Sequence, residues 1–194
     1  MSVAEVKDYR DSEWLWIPDE WDIDEFVFNS NEIEDISRIE AGPGNPLFDD
    51  HKTALEYCLY EIEQYGEVTE DVLFTTHLTL MRSQLPDILA GHYRPFGVRV
   101  GSFIAPRADR VPELVDGYLE ETKHVCELDD VLANHFFFES IHPFADGNGR
   151  TGRILMQALL KRTGNPPCVV RSENREEYYK AINRWRWQNF NLLT

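Results

Sequence analysis

Basic residues are scarce over most of this 194-residue chain, whose net charge is −16. Residues 1–149 carry 10 Lys and Arg against 32 Asp and Glu, and only residues 150–194 reverse the balance, with 9 against 3. A body so acidic offers no broad basic face, which argues against nucleic-acid binding and leaves room for one local anion site toward the C-terminal quarter. Cysteine is also sparse. Cys58, Cys126 and Cys168 are scattered and odd in number, which argues against a disulfide framework and fits reduced thiols. No apolar run reaches the roughly 18 residues that a membrane span needs, so no membrane contact is expected. The N-terminus lacks a basic start followed by an apolar stretch, so a cytoplasmic location is expected. Two common site signatures are missing: there is no Gly-x4-Gly-Lys-Ser/Thr phosphate loop and no His-Glu-x2-His zinc helix.

What is present is mostly helical patterning. Residues 1–28 are rich in Trp and acidic residues with weak periodicity, and read as an irregular arm. Asn29 or Ser30 reads as an N-cap, with Glu32 and Glu34 in the first turn of a short helix over about 31–40, before the breaker cluster 41–46. Ala54, Leu55, Cys58, Leu59 and Ile62 give a helix over about 50–65 closed by Gly66, and Thr69 caps the next. Val98, Arg99, Val100, Phe103 and Ile104 around Gly101-Ser102 read as a small β-hairpin. Pro112 starts a helix to about Cys126, Asp129-Asp130 open another through Ile141, a further helix spans about 150–163, and a last one runs from about Glu173 toward Phe190. The expected fold class is therefore all-α with one hairpin. Residues 1–45 form the arm and first helix, and 46–194 the main domain.

The chemistry concentrates in His142-Pro-Phe-Ala-Asp-Gly-Asn-Gly-Arg-Thr-Gly-Arg153, between two helices. A helix start exposes unpaired backbone N–H groups, and a glycine-rich turn before it makes an anion site. Gly147 and Gly149 permit close approach of backbone to a ligand. Asn148 offers an amide donor. Arg150 and Arg153 lie three apart on the first turn, and two guanidinium groups there suit a polyphosphate. Without an anion, cations at a helix N-terminus oppose the dipole. Asp146, among those donors, suits a magnesium ion shared with phosphates. His142 supplies an imidazole able to take a proton at neutral pH.

This segment resembles the signature of the Fic family (filamentation induced by cAMP), His-Pro-Phe-x-Asp/Glu-Gly-Asn-Gly-Arg-x2-Arg, at every fixed position. Gly91-x2-Arg94, Val98 to Pro106 and Val111-Pro112 resemble the family's flap segment, and Arg175 with Tyr178-Tyr179 resembles its helix beside the nucleotide. The resemblance covers about residues 30–182. It implies a mainly helical Fic fold and a protein adenylyltransferase. His142 would deprotonate a Ser, Thr or Tyr hydroxyl that attacks the α-phosphate of ATP, and Asp146 would hold Mg²⁺. Gly147, Asn148, Gly149 and Arg150 would line the α- and β-phosphates, Arg153 would reach the γ-phosphate, and Phe144 would belong to the nucleotide-binding set. Tyr178 or Tyr179 would pack near the adenine. The flap, Val98, Arg99, Val100, Gly101, Phe103 and Ile104, would dock an as yet unidentified target protein as an added strand.

Ser30-Asn-Glu-Ile-Glu34-Asp35 resembles the family's inhibitory Ser/Thr-x3-Glu-Gly/Asn motif, with Asp35 departing from Gly or Asn. The resemblance implies that Glu34 engages Arg153, holds activity low, and could orient a water for AMP removal. Self-modification and a homodimer are further partners it allows. The C-terminal end, Asn183 to Thr194, departs from the family's Asn and Gly-Asp pair, and Trp185, Trp187 and Phe190 either expose apolar surface for a dimer or partner or, as is expected, pack in the ordinary way. The alternatives are another nucleotide or phosphocholine donor, the kinase-like Doc branch, against which Gly149 stands where Doc resembles the pattern with Lys, and a non-catalytic toxin–antitoxin module.

Overall fold

Local capping explains where several of the helices begin. Asn45 caps α2 (Pro46–Tyr65), Thr69 caps α3 (Glu70–Met81), and Glu127 with Asp130 forms a capping box on α5 (Leu128–Ile141). Between them lie α4 (Val111–Thr122), which ends short of Cys126, and the hairpin of β2 (Arg99–Val100) and β3 (Phe103–Ile104). Next come α6 (Asn148–Thr163), α7 (Arg175–Gln188) and a short α8 (Phe190–Leu193). The structure, a computed structural model, describes residues 12–193 and is mainly helical, as the sequence indicates.

The N-terminal part differs from the sequence reading. The first helix, α1, spans Ile23–Ile33 rather than 31–40. Its N-cap is Asp22, whose Oδ1 accepts the N–H groups of Asp24 at 2.9 Å and Glu25 at 3.3 Å. Ser30 therefore sits in the last turn of this helix, and Glu34 is its C-cap. The polar run Asn29-Ser30-Asn31 reads like a cap in sequence because its partners lie far along the chain; all three are buried. Asp35 follows at φ 60°, the left-handed position where Gly or Asn is usual and which Asp tolerates.

The supposed irregular arm contains β1 (Leu15–Trp16), which pairs antiparallel with β4 (Val169–Val170), Leu15 opposite Val170. Strands of two residues carry no period that a sequence pattern could show. Residues 1–11 of the expected arm lie outside the described residues. Trp14 and Leu15 join the same hydrophobic core as Phe26, Phe136, Ile154 and Tyr178. At the other end Trp185 is buried, whereas Trp187 is exposed; the side chain of Phe190 lies outside the described residues.

Two central helices position the site. α5 packs along α6, and Val131, Leu132, Phe136 and Phe138 of the one and Ile154, Leu155, Ala158 and Leu159 of the other are all buried, so the turn between them is held at both ends. Buried Cys58 and Cys168 have thiols pushed up to about 12 by burial, so they pack as inert apolar groups, and Cys126 is exposed. Among the described residues no helix is long and apolar enough to cross a membrane.

Candidate active site

His142 is the C-cap of α5, with φ 52°. A left-handed non-glycine residue costs about 1–2 kcal/mol, so the surroundings must hold it there. Arg94 does much of this. Its buried guanidinium donates to the carbonyls of His142 at 2.8 Å, Phe96 at 2.7 Å, Pro106 at 2.6 Å and Ile141 at 3.4 Å. Its own N–H donates to the Pro143 carbonyl at 2.9 Å. One side chain thus joins the end of α5 to the segment carrying the hairpin.

The turn is closed by residues that sequence reasoning assigned elsewhere. Phe144 is fully buried and stacks on His77, ring centroids 3.7 Å apart, so it anchors the turn rather than lining a cleft. Asn148 likewise looks inward: its Oδ1 accepts the Phe144 N–H at 2.8 Å and its Nδ2 donates to the Phe144 carbonyl at 3.0 Å. His77 was not singled out in the sequence. Its Nδ1 accepts from the Gly91 N–H at 2.8 Å, so the proton sits on Nε2, which donates to the Asp146 carbonyl at 2.9 Å. Burial pushes His77 down to about 4, which keeps this bridge neutral. Gly147 has φ 73° and packs where a methyl group would meet Met81 Sδ at 2.5 Å.

Arg150 and Arg153 do not act as a pair. Arg150 turns toward α3, donating to Gln84 Oε1 at 2.8 Å and Met81 Sδ at 3.4 Å, and does not wall the cleft. Arg153, 1% exposed, does. Its Nε donates to Ser30 Oγ at 2.9 Å, and its Nη2 to the Ser30 carbonyl at 2.9 Å and to Glu34 Oε1 at 2.7 Å. The Glu34 carboxylate, 34% exposed, lies directly over Gly149, where an added Cβ would clash with it. An anionic group therefore already occupies the N-terminal end of α6, where the backbone N–H groups and Arg153 favour negative charge.

The segment carrying Glu34 is tied to the far end of the chain. Tyr179 donates to the Ile33 carbonyl at 3.2 Å, Ser172 donates from its hydroxyl to Glu32 Oε2 at 2.9 Å and from its N–H to Asn29 Oδ1 at 3.0 Å, and Arg175 pairs with Asp35. Asn31 meets His51 Nδ1 at 2.8 Å.

These elements enclose a cleft of about 380 Å³. It is lined by Glu34, Gly149 and Arg153, by His142 and Glu139, and by Val100, Gly101 and Ser102 of the hairpin. Tyr178, Tyr179, Ile182, Asn183 and Arg186 form the α7 wall. Tyr178 is buried, its hydroxyl 2.8 Å from His135 Nε2; Tyr179 is the exposed one. Val98, Arg99, Phe103 and Ile104 stand outside the lining: Val98 extends the hairpin through the Ala105 N–H at 3.2 Å, Ile104 is exposed, and Phe103 receives Arg186 4.2 Å from its ring centroid. Arg186, absent from the sequence-based site, also donates to the Glu139 carbonyl at 2.8 Å and to Ser140 Oγ at 3.2 Å. It thereby clamps the end of α5 that presents His142.

Asp146 is exposed, with Oδ1 accepting the Gly147 N–H at 2.7 Å. Among the described residues no three His, Cys, Asp or Glu converge, so a cation here would draw its remaining ligands from phosphates and water. Burial pushes the His142 imidazole down to about 4, with Arg186 and Arg94 acting in the same direction. Its Nδ1 is enclosed, which leaves Nε2 to meet a ligand. The His142 ring proton resonances are therefore expected to keep their neutral-form shifts down to about pH 5 in an NMR titration. A midpoint near the ordinary value of about 6.5 would contradict this environment.

Residues 67–160 match the Fic/DOC family. The chain belongs to that family. It is similar to the protein adenylyltransferase Fic of Nematostella vectensis, 30% identical over 157 residues, which cover 74% of this chain and 36% of that protein. It is also similar to the protein adenylyltransferase fic-1 of Caenorhabditis elegans, 29% identical over 131 residues, 65% of this chain and 26% of that one. The chain thus spans about a third or less of the curated relatives it matches. Among solved structures, a Fic-domain signalling protein from Bacteroides thetaiotaomicron superposes with a TM-score of 0.71 at 23% identity, over 83% of this chain and 70% of that one. Fic-1 of C. elegans gives 0.68 at 20% identity, over 87% and 56%. These likenesses establish the Fic fold.

Proposed function

We propose that this Fic-family chain is a protein adenylyltransferase whose donor is ATP and whose activity is held low by Glu34. The observation that carries this reading is the arrangement of the cleft: the open nitrogen of a neutral His142 faces the same space as the α6 N-terminus and Arg153, and a carboxylate already takes the anion's place there.

In the reaction, an acceptor hydroxyl attacks the α-phosphorus while its proton passes to His142 Nε2. The bond from that phosphorus to the bridging oxygen breaks, and pyrophosphate leaves. The backbone of Gly149 and the guanidinium of Arg153 hold the phosphate chain in line, so the chain contributes mainly by positioning and charge stabilisation. Asp146, exposed and anchored by the Gly147 N–H, fits one carboxylate of a Mg²⁺ otherwise held by phosphates, and that ion would neutralise phosphate charge. The hairpin at Val100–Ser102 would take a target segment as an added strand beside the cleft.

Glu34 and a terminal phosphate compete for the same Nη2 and the same helix end, so ATP must either displace Glu34 or bind in an unproductive pose. Partial exposure of Glu34 also leaves it able to orient a water against a bound AMP ester. Removal of AMP by the wild type and not by Glu34→Gly checks that role. The test of the transfer itself uses ATP labelled at the α- or the γ-phosphate with the Glu34→Gly protein. Label is expected on protein from the α position alone, with pyrophosphate released. Transfer of the γ label would instead indicate phosphoryl transfer of the Doc type.

A further inference from the structure

Glu34 is held in place by its own segment as well as by Arg153, and that hold includes a buried pair which adenylyl transfer, as derived above, does not use. The carbonyl of Asn31, in the last turn of α1, accepts the N–H of Glu34 at 2.9 Å and that of Ile36 at 3.1 Å, so this one residue closes the backbone around Glu34 and Asp35. The Asn31 side chain is 1% exposed, and its Oδ1 lies 2.8 Å from Nδ1 of His51 on α2, which is fully buried. A side-chain carbonyl can only accept, so His51 donates from Nδ1. Burial holds the imidazole well below its ordinary range, with Arg150 and Arg153 acting in the same direction, so the ring is neutral and has that one proton to give. Among the described residues neither His51 Nε2 nor Asn31 Nδ2 has a hydrogen-bond partner, so this bond is the one that each side chain makes there. The same ring meets Phe26 of α1 edge-on, centroids 5.9 Å apart.

The end of α1 is thus tied in three directions: through Ser30 to α6, through Tyr179 and Ser172 to the segment that ends in α7, and through Asn31 to α2. The third tie is the one that depends on a buried polar pair. Without the His51 donor, the Asn31 amide would stay buried with no partner, which is costly. The cost is relieved in any arrangement where that amide reaches water. Displacing the last turn of α1 does so locally, and it carries Glu34 off Arg153, because the Glu34 N–H is bonded to the Asn31 carbonyl. We propose that His51 is a positioning residue for the inhibitory carboxylate: by holding Asn31 it keeps the end of α1 seated, so that the strength of inhibition is set from α2 as well as at Arg153. The inference rests on reading Glu34 as inhibitory.

The test measures labelled transfer at saturating ATP for His51→Leu and His51→Asn in the full chain, each with Glu34 present and with Glu34→Gly. With Glu34 present, His51→Leu, which fills the space without a donor, should raise transfer at least about threefold. That is part of the gain from Glu34→Gly, because Ser30 still ties α1 to Arg153. In the Glu34→Gly background the same substitution should change the rate by less than about twofold, since no inhibitory contact remains to be released. His51→Asn, whose amide nitrogen stands as far along the side chain as Nδ1, should stay within about twofold of wild type. Hydrogen exchange supplies a readout that needs no turnover: relative to the core amides of α6, those of Glu34 and Ile36 should exchange at least about tenfold faster in His51→Leu than in wild type. Asn31→Ala breaks the same bond from the α1 side and is read in the same way should His51→Leu not fold. Wild-type transfer in His51→Leu while Glu34→Gly is raised overturns the assignment. So does an equal fold-change in both backgrounds, which marks a general structural role, or His51→Asn behaving as His51→Leu. Equal transfer from wild type and Glu34→Gly is a distinct result, which would sink the inhibitory reading and this inference with it.

Discussion

Glu34→Gly is expected to raise adenylyl transfer by at least about tenfold, and up to about a hundredfold, over wild type. The range corresponds to a charge-assisted hydrogen bond of about 1.5–3 kcal/mol that Arg153 can make either to Glu34 or to the donor's terminal phosphate, and not to both. The gain should appear in turnover more than in ATP affinity, because Glu34 obstructs the productive pose and not the whole cleft. Losing the bond need not unfold the protein, since Arg153 keeps both contacts to Ser30 and the α1 end keeps its ties through Asn29, Glu32, Ile33 and Asp35. Initial rates of labelled transfer from the two proteins at saturating ATP measure the effect, and equal rates would remove Glu34 from any inhibitory role.

The second large effect is a loss. His142→Ala in the Glu34→Gly background should lower transfer by about 10²–10⁴, the usual contribution of a positioned general base. ATP affinity should stay within about threefold, because the phosphate site is made by α6 and Arg153 rather than by the imidazole. That split between rate and affinity separates a base from a residue that merely shapes the turn. The structural alternative has its own marker in Arg94: truncating it would strand four carbonyls, His142's among them, and would lower stability as well as rate.

The motif was legible in sequence because its chemistry is contiguous. Twelve residues running from the end of α5 into the first turns of α6 carry the base, the glycines and the arginines, and the helix start at Thr69 announces itself through its cap. What sequence could not show is which way side chains turn once the turn closes. Asn148 and Phe144 are the right residue types for a binding loop, yet they are spent holding it shut, and Arg150 shares its turn with Arg153 while packing against α3. Those outcomes depend on His77, Met81 and Gln84, more than sixty residues away, which no local pattern links to the motif. The position of the first helix is hidden in the sequence for a related reason. Its last turn buries Asn29, Ser30 and Asn31 on partners at Ser172, Arg153 and His51, so a polar buried face passed for a solvent-exposed cap. The approach of Glu34 to Arg153 is nevertheless legible, because it follows from charge and from the family pattern, and neither depends on where the helix begins; the bonds of Arg153 to Ser30 are not.

The central claim is that the cleft transfers an adenylyl group through His142 once Glu34 is removed. Intact-mass measurement after incubation with Mg-ATP, on the Glu34→Gly protein and on its His142→Ala derivative, tests it most directly. A mass gain of one adenylyl group on the first and none on the second is the expected result. A gain of one phosphate on the first, or an equal adenylyl gain on both, would contradict it.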